Sequence, residues 1–443
     1  MMSRQAWQVL VIGLGSAVVP LDSSVNIAFP AITHGFGLAI ADVQWVVISY
    51  TLTYTSLMLA FGRIGDMYGY ARVFRVGLVW SAIACLLCAL TRDFAWFVVC
   101  RVLQGVGAAL VLSCGVALST GLYGEERRSR VIGAYTMLIA VGSTLGPWLG
   151  GALVHAWDWP AVFWFRTPIA LVALVLLGKF PATERPGGGE RFDAPGAGLL
   201  VLAMIGLVLT LHHARDLAGL PLGLATLLVF AAFARREQRV DAPIIDLRVF
   251  RVPGFGLLNL ANVLVNLAAF SVWLIVPYYL AQATDLGVTV GGAVLATAAV
   301  GVLVASPVGG RLIVRVPARR LALAGAALVA VGLLLIARWG ERTAASSLVI
   351  ALAVQGVGLG LFQLAYIDIV AATIARQSRG VAGSLAMVTR TIGVIGAAST
   401  FLPLFQRLAA SDGFLAAFQY SFELAAMLAL AVTALVGWGV RRA

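Results

Sequence analysis

Residues 94–114 read FAWFVVCRVLQGVGAALVLSC, twenty-one positions of which Arg101 alone is charged. The hydrocarbon core of a bilayer is about 30 Å thick and takes about 20 helical residues to cross. The stretch therefore predicts a membrane-spanning helix, and an arginine in such a helix is costly unless it is paired or used. The rest of the chain has the same character. Of its 443 residues 61% are apolar and 48 are glycine, together roughly 72% against about 45–50% in a soluble domain. Charged residues make up 11%, less than half of the usual share of about a quarter. That composition argues against a soluble enzyme, a nucleic-acid binder and a disulfide scaffold, and predicts an integral membrane protein whose main partner is the lipid bilayer.

Apolar segments bounded by charges and helix breakers run over 7–30, 43–61, 73–90, 94–114, 131–154, 161–181, 196–214, 217–234, 254–280, 288–309, 319–337, 346–375, 381–404 and 414–440. They predict fourteen spans in an all-α protein, with both termini on one side. The loops of that side would hold twenty-three of the 31 basic residues, and the opposite side only Arg92, Arg215, Arg338, Arg342 and Arg407. The positive-inside rule then puts both termini in the cytoplasm. The net charge of +12 becomes loop charge beside anionic lipid. Arg101, Arg166 and Arg390 remain inside spans. The run from Trp7 to Phe29 is too long for a signal-peptide core and is expected to stay as the first span. A single lysine among so many arginines hints at a GC-rich genome, hence a bacterial inner membrane.

That lysine, Lys179, precedes Phe180 and not the Ser or Thr of a P-loop, so no ATP site is expected. Cys85, Cys88, Cys100 and Cys114 fall inside spans three and four and read as small packing residues. His34, His155, His212 and His213 fall at outer span ends without ligand spacing. No metal site, no cofactor and no nucleophile–base set is expected, so the protein is not read as an enzyme.

Two polar, breaker-rich stretches, 181–195 and 235–253, divide the chain into a six-span bundle over 1–181, a linker over 182–253 with a two-span hairpin (196–214 and 217–234), and a second six-span bundle over 254–443. GRIGDMYGYAR at 62–72, after span two, is matched by GRLIVRVPARR at 310–320, after span ten. A repeat with substrate at its interface is the plan of secondary transporters.

Several motifs, in order, give this plan a family. Residues 62–72 resemble the cytoplasmic loop of the major facilitator superfamily, with its usual basic pair reduced to Arg72. LDSSVNIAFP at 21–30, Gln44-Trp45 with Tyr50, RVLQGVGAA at 101–109 and GSTLGPWLGG at 142–151 resemble motifs of its fourteen-span drug:proton antiporter family. The resemblance covers nearly the whole length. It implies two six-helix bundles plus a two-helix insertion, a conformational latch at Gly62, Asp66, Gly69 and Arg72, proton coupling through Arg101, and an antiporter hinge at Gly142, Gly146, Pro147, Gly150 and Gly151. WPAVFWFRTP at 159–168 keeps the family spacing but has Arg166 where an Asn is usual.

By a helical rise of about 1.5 Å per residue, Asp22, Arg101 and Arg166 lie roughly 8–10 Å from the same outer face. A buried carboxylate at one level with two guanidiniums is expected to form an ion-pair triad. Asp22 then either exchanges protons while Arg101 adjusts its affinity, or is a static gate lock; the local sum of +1 would also suit an anionic group of a substrate. In the second half Asp368, Arg390 and Glu423 sum to −1. Arg390 is expected to pair with one of the two acids, and Glu423 is read either as a second proton or cation site or as part of that pair.

Asn259, Asn262 and Asn266 fall on one face of span nine, with Trp273 two turns on. They are expected to line a wet substrate cavity, the alternative being interhelical amide bonding. Gln355, Gln363 and Tyr366 repeat the signal in span twelve, and Asn26 joins the cavity from the first-span motif. The glycines of 142–151 allow close helix packing, and Pro147 should bend span five.

The combined reading is a monomeric exporter of small lipophilic compounds, working by alternating access and driven by inward proton flow. The alternatives are a proton-coupled exporter of one endogenous metabolite, lipid or anionic antibiotic, a passive uniporter, and a receptor or scaffold that moves nothing.

Overall fold

The computed structural model describes residues 4–121, 128–178, 193–212, 219–240, 250, 252, 254–373 and 379–442. Most of both breaker-rich stretches, with Lys179, Arg185, Arg191, Arg248 and Arg251, and also Arg127, His213, Arg215 and Arg376, lie outside the described residues. Among the described residues the elements are helical. The first half comprises α1 (Arg4–Ala17), α2 (Ser24–Ile27), α3 (Phe29–Phe36), α4 (Gln44–Tyr68), α5 (Tyr70–Leu90), α6 (Phe94–Thr120), α7 (Arg128–Trp157), α8 (Ala161–Trp164) and α9 (Arg166–Leu177). A hairpin of α10 (Ala194–His212) and α11 (Gly219–Glu237) follows. The second half is α12 (Phe255–Gln282), α13 (Val288–Leu312), α14 (Ala318–Ala337), α15 (Ala345–Thr373), α16 (Arg379–Asp412) and α17 (Phe414–Arg442).

Among the described residues eleven helices are long and apolar enough to cross a membrane, and twelve if the pair Phe29–Phe36 and Ile40–Met58, bent by 117°, counts as one span. Two other expected segments carry shorter apolar helices, Ala161–Leu177 and Pro195–Leu207. The multi-pass expectation is met with unequal spans. The first of them is broken: Pro20 opens a 3-10 turn, Pro20–Ser23, between α1 and α2. Proline has no N–H to continue the helical ladder and a φ already suited to starting a new turn.

Consecutive long helices run up and down, so the chain has a terminal end, where α4 passes to α5 and α13 to α14, and a far end, where α5 passes to α6 and α12 to α13. The two halves meet from mid-helix to the far end. Thr33 and Tyr278 share a hydrogen bond of 2.7 Å, the Ala41 amide donates to Gln406 Oε1 at 2.7 Å, and Thr289 Oγ1 donates to the Gly151 carbonyl at 3.4 Å. Thr55 and Thr391, at 3.0 Å, join α4 to α16 further along. At the far end α7 crosses α13 through Gly151 and Gly292: a Cβ on Gly292 would overlap the Pro147 carbonyl, and one on Gly151 would lie 2.5 Å from the Val288 carbonyl.

The hairpin lies over this seam. α10 packs on α4 and on α16, so it touches both halves, whereas α11 packs chiefly on α10. Asp193 caps α10 by accepting from the Gly196 amide at 3.1 Å, and it takes the Arg236 guanidinium of α11 at 2.7 Å. Burial opposes its ionisation, but Arg236 and the Gly196 amide together hold the Asp193 carboxyl below the usual carboxylate range. This cap is therefore intact at neutral pH and fades only as acid protonates the folded carboxylate.

The glycine crossing yields a test. Gly292→Leu is expected to wedge α13 from α7 and separate the halves at the far end. Spin labels on Asp42→Cys and Arg407→Cys should report a longer distance than in the parent chain; an unchanged distance would show that the crossing does not hold that end shut.

Candidate functional site

The broken first span delivers Asp22 to the middle of the first half. Its turn is held against α7, where Ser23 Oγ donates to the Ser143 carbonyl at 3.0 Å. The glycines of α7 make that approach close: a Cβ at Gly142 would touch Pro20, one at Gly146 would overlap Ser23, and one at Gly150 would press on the Ser24 carbonyl. Gly142, Gly146 and Gly150 thus pack α7 onto the first span, while Gly151 and Pro147 face the second half. The expected hinge residues serve two different contacts.

Arg101 of α6 grips Asp22 with both ends of its guanidinium, Nη1 to Oδ1 at 2.8 Å and Nη2 to Oδ2 at 2.9 Å. Its Nε donates to the Val46 carbonyl at 2.9 Å. Arg166, at the start of α9, donates from Nη1 to Asp22 Oδ1 at 2.7 Å and from Nε to the Val162 carbonyl at 3.1 Å. Side-chain exposure is 2% for Arg101, 0% for Arg166 and 13% for Asp22, so the carboxylate is the accessible member. Gln104 links the group, accepting from Arg101 Nη1 at 2.6 Å and donating to Asp22 at 3.2 Å. Tyr50 lies under the Arg101 guanidinium, 4.3 Å from its centre. Arg166 Nη2 is buried with no hydrogen-bond partner among the described residues. The structure thus assembles Asp22, Arg101 and Arg166, three residues distant in sequence. Gln104 and Tyr50 are members that sequence reasoning left out of the site; Gln104 lies one turn from Arg101 on the same helix face, a readable signal.

The second half departs from expectation. Asp368 and Arg390 are exposed, Glu423 is half-buried, and none of the three pairs with another among the described residues. The three sit on α15, α16 and α17, and α17 packs on α12, α14 and α16, away from the first half. Burial depth along a span, which is what helical rise gives, does not say which way a side chain faces, and the expected triad is not formed.

The amides are also corrected. Asn259, Asn262 and Asn266 are buried and not on a wet wall. Asn262 donates to Thr389 Oγ1 at 2.8 Å, Asn266 to Asn262 Oδ1 at 3.0 Å, and Asn259 Oδ1 accepts from Tyr366 at 2.8 Å. Gln363 reaches Asn266 at 3.3 Å. They form the interhelical network that was the alternative, tying α12 to α15 and α16, because a buried amide must be satisfied and Thr389 supplies the partner. Gln355 is buried against Gly332, and its Nε2 has no partner among the described residues. Asn26 and Trp273 are half-buried.

At the terminal end Asp66 accepts from the Tyr70 hydroxyl, and Arg72 is exposed. Gly69, with φ 91°, makes the sharp turn between α4 and α5 that a side chain would strain. Gly62 faces open space. Arg72 meets Gly69 through the backbone, its amide donating to the Gly69 carbonyl at 3.2 Å. The four cysteines are buried thiols, and no group of metal ligands occurs among the described residues.

The charge cluster yields a test. Asp22→Asn leaves two buried guanidiniums without a counter-charge, an expected loss of about 3–5 kcal/mol seen as a lowered Tm of the purified protein. Adding Arg166→Asn removes one of those charges and should recover most of the loss. A double variant as unstable as the single one would show that charge balance does not hold the cluster.

Comparison with known proteins places these features. The family description Major Facilitator Superfamily matches residues 12–243 and 258–443. Curated relatives include "Riboflavin transporter RibZ" of Clostridioides difficile, 28% identical over 392 residues, which are 88% of this chain and 86% of that one. "Tetracenomycin C resistance and export protein" of Streptomyces glaucescens is 32% identical over 87% of this chain and 73% of its own. "Multidrug resistance protein Stp" of Mycobacterium tuberculosis is 27% identical over 88% of this chain and 74% of its own. Among solved structures, a point mutant of the nucleoside transporter NupG superposes with a TM-score of 0.74 at 9% identity, covering 98% of this chain and 99% of that one. A bacterial homologue of the lysosomal transporter Spinster gives 0.72 at 16% identity, covering 99% and 98%.

Proposed function

The chain belongs to the Major Facilitator Superfamily, and from that premise we propose that it exports small lipophilic molecules by alternating access, in exchange for protons that enter through Asp22. Multi-pass membrane transport, and not enzymatic catalysis, is the family's common property. The multidrug and antibiotic exporters among its relatives favour drug-like cargo. The basic loops favour an orientation with the terminal end in the cytoplasm, and the bacterial relatives favour a bacterial plasma membrane, so that the halves are closed toward the outside and cargo enters from within.

The observation that carries the coupling is the state of Asp22. It is the accessible member of a buried cluster, and its carboxylate receives four donor contacts, from Arg101, Arg166 and Gln104. A proton on Asp22 removes the charge that ties the first span to α6 and α9. Those ties join elements on both sides of the broken span, so protonation there is felt by the whole first half. Gain and loss of one proton can thereby bias two arrangements of the bundle.

Coupling is tested in proteoliposomes that hold a luminal pH dye, challenged with cationic, neutral and anionic lipophiles. A compound should evoke proton movement in the parent chain, and the stability-matched Asp22→Asn/Arg166→Asn variant should not show it. Cargo movement without protons, or proton movement that survives in the variant, would remove Asp22 from the mechanism.

A further inference from the structure

Arg390 is the charge that the export reading above does not use. It stands on α16 eleven residues from the start of the helix, about 16 Å along its axis. An arginine at that depth is costly unless it has a partner or faces water. It is exposed, and it makes no ion pair or hydrogen bond among the described residues. Its exposure is not fraying of the helix end: Leu385, nearer that end but on another flank, is buried.

The direction it faces follows from helical spacing. Val394, Ala397 and Phe401 lie four, seven and eleven residues on, in the same stripe as Arg390, and all three are buried. The stripe is therefore open at Arg390 and sealed toward the far end, as expected near the terminal edge of a surface along which two halves meet from mid-helix to the far end. The next residue, Thr391, touches Thr55 of α4. Thr55 is five residues, about 7.5 Å of helix, from Tyr50, whose ring carries the Arg101 guanidinium.

Arg390 thus lies next to the contact with α4, on the terminal side of a cluster that is itself positive. Asp22 neutralises one of its two arginines, and Arg166 retains a buried Nη2 with no partner among the described residues. The cluster keeps a net charge of +1 even when Asp22 is ionised. Of the other acids of the second half, Asp368 is one turn from the end of α15 and Glu423 is on α17; neither pairs with Arg390.

We propose that the cargo carries an anionic group of the carboxylate or sulfonate kind, bound by Arg390 on the terminal side of the Asp22–Arg101–Arg166 cluster. The proposal rests on the export reading for the word cargo, but the site is a matter of binding alone. Arg390 supplies the directed hydrogen bonds, and neither it nor the nearby cluster, with its net charge of +1, offers a counter-charge to a cation. Arg166 is then the residue that keeps the cluster net positive when Asp22 carries no proton.

The test uses the purified full chain in lipid nanodiscs and two dyes with one ring system, anilinonaphthalene sulfonate and the uncharged phenylnaphthylamine. The parent chain should prefer the sulfonate by about ten-fold or more, the size of a charge-assisted hydrogen bond. Arg390→Gln should abolish that preference and Arg390→Lys should keep part of it. Equal affinity for the two dyes, a preference that survives Arg390→Gln, or a preference for a trimethylammonium dye would overturn the site. Selective binding of the sulfonate in nanodiscs with no passage across a proteoliposome membrane would overturn the export reading and leave the anion site standing.

Discussion

One carboxylate held between two guanidiniums inside a membrane protein is the constraint on which the first half is built. Separated in hydrocarbon, each of these charges is expensive; together they are tolerable only with close geometry and extra hydrogen bonds. Both are present. Arg101 binds Asp22 bidentately and Arg166 binds it from α9, while the Val46 and Val162 carbonyls and Gln104 take further donors. The requirement explains the break in the first span. A continuous helix would keep its backbone groups in the ladder, whereas the turn opened at Pro20 sets Asp22 on a bend that α6 and α9 can both reach.

That bend imposes a second constraint on α7. The bent backbone lies directly against α7, and α7 accommodates it by presenting glycines at 142, 146 and 150, where a Cβ would meet Pro20, Ser23 or Ser24. The same helix then crosses α13 through Gly151 and Gly292. The charge cluster and the seam between the halves are thereby joined by one rigid element. A change at Asp22 has a short physical route to the surface on which the halves close, through packed backbone with little side chain between.

The second half is organised by neutral polar bonds instead. Asn259, Asn262, Asn266, Gln363, Tyr366 and Thr389 tie α12, α15 and α16 together. The periodic amides were visible in the sequence as a polar face, but a polar face can meet water or another helix equally well. Thr389 decides between the two, and nothing in the spacing of α12 shows that Thr389 will be opposite. Arg390 and Glu423 illustrate the same limit. One stands exposed on α16 and the other half-buried on α17, and among the described residues they do not meet.

Hydropathy and helical length by themselves determined that this chain is helical and crosses a membrane many times, because a bilayer demands long apolar segments whatever their neighbours are. They also determined that Asp22, Arg101 and Arg166 lie at one level, since depth depends only on rise per residue. Whether side chains at one level touch depends on how each helix is rotated and which helices adjoin. Only the tertiary structure decided that: it joined the three charges of the first half, kept apart those of the second, turned the amides inward, and laid α10 across the seam. Rotation and adjacency are set by packing among all the helices at once, and no single segment carries that information.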